Sequence, residues 1–175
     1  MSNKKKDWLE HLGSPDIKIA GLSIWVHQRQ FPDAEDYWDG NWVVVTVCCK
    51  ANYAEVWTTG PIIHLPEVEK FMRKSQQLYD SLSGEAEIDC MEPELNVMLK
   101  MHRSGQLRMR VELTPNHMKQ GHWFEFDIDQ SYLPGLIRDC RAVLETYPVK
   151  NGDANYDSQP YAKAYDTAYC RPFGD

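Results

Sequence analysis

Hydrophobic and polar residues alternate through most of the stretch from residue 85 to residue 129. Four segments carry this alternation, in the order EAEIDC (85–90), ELNVMLKM (94–101), QLRMRVEL (106–113) and FEFDI (124–128). Such a pattern is typical of antiparallel strands that bury one face and leave the other in solvent. The solvent positions are charged, and a meander of these strands would place Arg108 and Arg110 beside the acids of the last segment.

Nearer the N-terminus the pattern predicts three further strands. The apolar phase of residues 17–27 slips at Gly21, which indicates a single strand with a bulge at that glycine. Residues 42–49 (WVVVTVCC) are nearly all apolar, as expected of a strand that is buried on both faces. A turn at Ala51-Asn52 leads to a partner strand over residues 54–59.

Two segments change to the spacing of an amphipathic helix. The first runs from about residue 66 to residue 82, with apolar residues at Leu65, Val68, Phe71, Met72, Leu78, Tyr79 and Leu82. The second follows Ser131, which is expected to cap it, and Pro148 is expected to stop it. The order strands, helix, strands, helix predicts an α+β fold, with a largely antiparallel sheet of about seven strands and two helices packed on one face.

The chain is long enough for one domain with a full core. We expect an N-terminal extension over 1–16, a single α+β domain over 17–149 and a tail over 150–175 that is rich in Tyr and Asp. In that tail Tyr161, Tyr165 and Tyr169 are spaced by four, so either a short helix or a loosely ordered segment fits.

The charge balance restricts the class of partner. A formal net charge of −7 and a pI of about 5.3 disfavour binding to nucleic acid or to an anionic membrane. The sequence predicts neither a secretion signal nor a membrane span. Its cysteines are odd in number and suggest no disulfide framework, so we expect a cytoplasmic protein with reduced thiols.

Catalytic and metal-binding motifs are missing from the sequence. It contains no nucleophile elbow, zinc-protease motif, phosphate-binding glycine loop or paired CxxC. His117 and His122 lack the spacing of a metal site, and Glu92 and Glu94 are explained equally well as solvated acids. The sequence therefore predicts a protein without a cofactor that is not an enzyme.

The stretch FPDAEDYWDGNW (31–42) combines acidic and aromatic residues directly before the buried strand. Two interpretations are open: its aromatic residues fold back onto the core, or the stretch is a surface that meets a basic partner. Under the second interpretation the partner-binding residues are Asp33, Glu35, Asp36, Tyr37, Trp38 and Asp39. Trp42 begins the buried strand and is expected in the core.

Several of these stretches together resemble the WapI family of bacterial immunity proteins. The resemblance runs from about Ile17 to Lys150, and its most specific parts are FPDAEDYWDGNWVVV, GPIIHLPEVEKF, MEPELNV, WFEFDIDQSYL and LETYPVK. It implies a cytoplasmic antidote that binds and silences the C-terminal domain of a cognate toxin, often a nuclease. The residues after Lys150 lie outside the resemblance.

Two other functions fit the same acidic chain. A dedicated chaperone or adaptor for a secreted effector would carry an exposed hydrophobic groove for its client. A small-ligand binder would carry a deep pocket between sheet and helices, lined by Trp25, Trp57 and Trp123.

Overall fold

A computed structural model describes residues 11–151, which form an α+β fold of two helices and eight antiparallel strands. The elements in chain order are β1 (Ile17–Ile19), β2 (Leu22–Arg29), β3 (Trp42–Ala51), β4 (Ala54–His64), α1 (Leu65–Ser81), β5 (Glu85–Asp89), β6 (Leu95–Met101), β7 (Gln106–Leu113), β8 (Trp123–Asp129) and α2 (Leu133–Thr146). The predicted fold class is confirmed, with the strands divided between two sheets. The described part excludes the first ten residues and residues 152–175. Most of the predicted tail, with Tyr161, Tyr165 and Tyr169, therefore lies outside it.

The two sheets have the same layout. Each is a four-stranded meander, β1-β2-β3-β4 and β5-β6-β7-β8, and each is followed by one helix. The helices pack on each other, with α1 also against β5 and α2 against β1. The buried faces of both sheets and both helices contribute to one hydrophobic core.

The segment predicted as one strand over 17–27 is instead a hairpin of β1 and β2. Ala20 takes a positive φ of 47°, and Gly21 completes the turn. A Cβ at Gly21 would lie 2.0 Å from the carbonyl oxygen of Lys50 and 2.7 Å from the ring of Phe126, so only glycine fits there. The slip of the apolar phase at Gly21 marks this turn, and the bulge of β2 lies further on, between Val26 and Gln28.

The second sheet follows the alternation predicted for it. Its inward residues, such as Val97 and Met109, are fully buried. Arg108 lies opposite Asp127 and Arg110 opposite Glu125, with N–O distances of 3.5 Å and 3.6 Å. The predicted cross-strand ion pairs are confirmed.

The helices follow their predicted periodicity except at some termini. In α1 Leu65, Val68, Phe71 and Leu78 are buried and Met72 is half-buried. Tyr79 and Leu82 are exposed, and Leu82 ends the helix with a left-handed φ of 51°. The expected cap at Ser131 is wrong. The Asp129 carboxylate accepts a hydrogen bond from the Ser131 backbone N–H and caps a short 3-10 turn that precedes α2.

The three tryptophans expected around a pocket do not come together. Trp25 and Trp57 stack with ring centroids 5.5 Å apart on the face of the first sheet opposite Ile24. Trp123 is 61% exposed, and the Arg110 guanidinium lies 5.2 Å from its ring centroid. These side chains therefore line no shared ligand cavity.

Candidate functional site

The acidic and aromatic residues singled out in the sequence form the connection between β2 and β3. We call residues 31–39 the acidic-aromatic loop. Its base is closed where the Gln30 N–H donates to the Trp42 carbonyl at 2.8 Å. Most of the loop is exposed, and its conformation is set by side chains that reach it from distant parts of the chain.

Asn41 holds the loop from below. Its side chain is completely buried, and its Nδ2 donates to the carbonyls of Tyr37 and Lys150 at 2.7 Å each. Its Oδ1 accepts from the Lys150 N–H at 2.8 Å. One buried amide thereby joins the loop to the segment after α2, and loss of such bonds in a buried place is costly.

Lys150 holds the loop from the side. Its Nζ donates to the Ala34 carbonyl at 2.6 Å and to the Glu35 carboxylate at 3.0 Å, with the Pro32 carbonyl at 3.4 Å. Arg29 adds a second cationic contact, because its guanidinium donates to the carbonyls of Gly40 and Pro148. Lys150 thus offsets part of the negative charge of the loop, whereas Arg29 joins Gly40, directly after the loop, to Pro148.

His64 lies under the aromatic residues of the loop. Its ring centroid is 5.3 Å from that of Tyr37, 5.9 Å from that of Trp38 and 5.1 Å from that of Trp42, which is half-buried. Its Nε2 donates to the carbonyls of Tyr37 and Trp38 at 3.1 Å each, so this nitrogen carries the proton. Burial lowers the pKa of His64, which favours a neutral ring.

Glu67 links this cluster to a second exposed turn. Its carboxylate accepts from the backbone N–H of His64 and from that of Met91, both at 3.0 Å. Burial raises the pKa of the Glu67 carboxyl to about 7. One carboxylate therefore joins the backbone at His64 to the backbone at Met91, whose side chain is exposed.

The structure gives the predicted partner-binding residues different roles. The Asp36 carboxylate accepts from the N–H groups of Trp38 and Asp39, and the bond from Asp39 lowers the pKa of Asp36. Glu35 pairs with Lys150. Within residues 11–151 the carboxylates of Asp33 and Asp39 make no hydrogen bond or ion pair and are exposed.

The aromatic residues of the loop differ in exposure. Tyr37 is half-buried and meets Trp38 edge to face, with ring centroids 5.4 Å apart, whereas Trp38 is 36% exposed. Asp33, Trp38 and Asp39 are therefore exposed together with Glu35 and Asp36. Glu35 and Asp36 also shape the loop through their hydrogen bonds, and Tyr37 does so as a half-buried ring.

Five residues that hold the loop were not identified as functional from the sequence: Arg29, Asn41, His64, Glu67 and Lys150. Four of them lie in stretches that carried the resemblance, namely Asn41 in FPDAEDYWDGNWVVV, His64 and Glu67 in GPIIHLPEVEKF and Lys150 in LETYPVK. Spacing along the chain gave no sign that these stretches meet. Their convergence on one loop is visible only in the folded protein.

Other kinds of site find less support in the described part. Residues 11–151 hold no group of three His, Cys, Asp or Glu side chains that could bind a metal ion. Neither of the two helices is long and apolar enough to cross a membrane. The thiols of Cys48, Cys49, Cys90 and Cys140 are buried and free.

Comparison with known proteins identifies the family. No curated protein matches the chain. The family model described as the immunity protein WapI-like family matches residues 13–148, which include both sheets, both helices and the whole acidic-aromatic loop. Because the match covers most of the chain, the protein belongs to the WapI-like immunity protein family.

Proposed function

We propose that this protein is a cytoplasmic antidote that binds the C-terminal domain of a cognate bacterial toxin one to one and blocks it without catalysis. Membership of an immunity family supports a toxin-neutralising role in general. The finer proposal is that the toxin is a nuclease and that the acidic-aromatic loop is the surface that meets it.

The observation that carries the proposal is the fixed shape of this loop. Asn41, Lys150 and His64 together make six hydrogen bonds to it, and two more join Asn41 to Lys150. A surface held in one conformation loses little entropy on binding, so more of the contact energy remains as affinity. Trp38 then presents an aromatic side chain of the kind that anchors protein interfaces.

The charge of the loop supports a basic partner. Asp33 and Asp39 lie in the same loop as Trp38, and neither carboxylate has an ion-pair partner within residues 11–151. A nuclease must bind phosphates and therefore presents Lys and Arg around its active site. Complementary charge raises the association rate and penalises partners without a basic surface.

Co-expression with the toxin domain encoded beside it tests the antidote role. The tagged protein should co-purify with that domain as a one-to-one complex and restore growth to cells that produce the toxin. Trp38→Ala should weaken both effects, whereas Tyr79→Ala, which removes an exposed aromatic residue from α1, should weaken neither. Absence of both complex and rescue with the unmodified protein would refute the proposal for that toxin.

A further inference from the structure

The eighth strand has an open edge. Strand β8 ends the second sheet, and β7 is its hydrogen-bonded neighbour. The Leu113 N–H donates to the His122 carbonyl at 3.0 Å. This bond determines which residues of β8 direct their backbone N–H and C=O groups toward β7. In an antiparallel ladder these positions alternate, so Phe124, Phe126 and Ile128 bond to β7.

The remaining residues of β8 direct their backbone groups away from the sheet. These are Trp123, Glu125, Asp127 and Asp129, and none of their N–H groups has a hydrogen-bond partner among residues 11–151. A row of outward N–H and C=O groups is a template for another strand. This edge of β8 therefore has the regular backbone of a strand, and no other strand within residues 11–151 pairs with it.

A groove runs along this edge. It has a volume of about 560 Å³, and four consecutive residues of β8, from Glu125 to Ile128, line it. Consecutive side chains of a strand point to opposite faces of the sheet. Four consecutive residues can therefore line one groove only where that groove follows the edge of the strand. The opposite wall is the end of β3, from Lys50 to Asn52, together with the β1–β2 turn.

The two sides of this edge differ in chemistry. On the inner side Phe126 and Ile128 are half-buried and leave apolar surface in the groove. On the outer side lie three acids, Glu125, Asp127 and Asp129, against two arginines of β7. The Asp127 side chain is 90% exposed, and within residues 11–151 it makes one ion pair, to Arg108 at 3.5 Å, so the carboxylate has room for a second cation.

We infer that β8 accepts an added strand from a partner polypeptide in which basic and apolar residues alternate. Apolar side chains would enter the groove beside Phe126 and Ile128, and Lys or Arg side chains would meet Glu125 and Asp127. A second copy of this chain is a poorer occupant, because antiparallel pairing of two β8 strands would set acids against acids. The inference goes beyond the proposed antidote role and does not depend on it.

Amide hydrogen exchange of the full-length protein tests the inference with a synthetic peptide of alternating Lys and Val. The peptide should slow exchange at the N–H groups of Glu125 and Asp127 by roughly tenfold or more, because added strand bonds protect amides. It should leave Met118, in the β7–β8 loop, unchanged. A peptide of alternating Glu and Val, and a Lys-Val peptide N-methylated at every residue, should give no protection.

Variants of the edge provide matched controls. Asp127→Pro removes an outward N–H without removing a bond to β7, so it should abolish the protection at Glu125 while the fold is kept. Asp127→Asn retains the N–H and should keep the protection with weaker binding. Glu125→Pro, with protection measured at the Asp127 amide, serves the same purpose should Asp127→Pro lower the melting temperature.

Three results would overturn the inference. The first is protection by the Glu-Val or the N-methylated peptide that equals the protection by the Lys-Val peptide. This result is obtained with the unmodified protein. The second is protection that persists in both proline variants. The third is slow exchange of the Glu125 and Asp127 amides in the free protein, which would mean that the edge is already occupied.

Discussion

The same hairpin position is built in opposite ways in the two halves of the molecule. In the second half β6 and β7 are joined by His102–Gly105, which closes on itself with a 2.7 Å bond from the His102 N–H to the Gln106 carbonyl. Ser104 and Gly105 there take positive φ values of 66° and 76°. In the first half β2 and β3 are joined by residues 30–41, which include the acidic-aromatic loop.

The short connection is determined locally, and the long one depends on distant residues. The β6–β7 turn is closed by its own backbone hydrogen bond and positive φ values, and no side-chain hydrogen bond from a distant residue within 11–151 reaches it. The acidic-aromatic loop is held by His64 at the start of α1 and by Lys150 after α2. Because buried polar side chains hold this loop in one conformation, its surface is fixed. A binding site requires such a fixed surface.

The largest effect is expected from Asn41→Ala. Three backbone groups lose their partner in a buried place, so the free energy of unfolding should fall by about 3 kcal/mol. Urea denaturation measures it. Asn96→Ala in the second half, which loses one 3.3 Å bond to Asp89 at the surface, should cost about 0.5 kcal/mol or less. Equal losses in the two variants would contradict the difference between the halves.

A comparable effect is expected from the protonation of Glu67. Its pKa is 4.5 in the unfolded chain and about 7 in the folded protein, so the folded state binds more protons between these values. The stability that this group contributes at low pH is therefore lost as the pH rises from about 4.5 to about 7, by about 3 kcal/mol in total.

Denaturation over this pH range gives the measurement. Glu67→Gln should remove that part of the pH dependence, because the amide does not titrate. Glu69→Gln, an exposed change on the same helix, should keep it. If the wild type and Glu67→Gln showed the same change of stability over this pH range, Glu67 would not be held protonated in the folded protein.

A smaller effect is expected from Lys150→Met, which keeps the aliphatic stem and removes the ammonium group. The carbonyl of Ala34 and the carboxylate of Glu35 lose a charged donor, so stability should fall by about 1.5 kcal/mol. Hydrogen exchange should also become faster within the acidic-aromatic loop. Lys119→Met in the β7–β8 loop is the control. A loop that exchanges no faster in Lys150→Met would rule out the role of this lysine as a clamp.

The smallest effect is expected in the second sheet, at Arg108 and Asp127. A double-mutant cycle with alanine should give a coupling energy of about 0.2–1 kcal/mol, and added salt should reduce it. The corresponding cycle for Lys150 and Glu35 should give a larger value, since Lys150 is mostly buried. A larger coupling energy for Arg108 and Asp127 than for Lys150 and Glu35 would contradict the difference between the solvated face of the second sheet and the acidic-aromatic loop.

The second half of the molecule was largely readable from the sequence, and the candidate site was not. Alternation reports local geometry, so strands β5–β8 and the pairing of Arg108 with Asp127 followed from it. The β1–β2 turn was missed because a glycine required by contacts with Lys50 and Phe126 looks like a bulge in the sequence. For the loop, composition marked Asp33 and Trp38, but Asn41 and Lys150 meet only after folding.

The central claim is that the acidic-aromatic loop is the surface that binds the toxin, and calorimetric titration with the purified toxin domain tests it most directly. Asp33→Lys with Asp39→Lys should weaken binding by roughly 100-fold, since close charge pairs at such interfaces are worth several kcal/mol. Asp80→Lys with Glu145→Lys changes the net charge equally, on the helices, and should alter affinity by no more than about threefold. Equal losses in the two double variants, or an unchanged affinity in the first, would contradict the account.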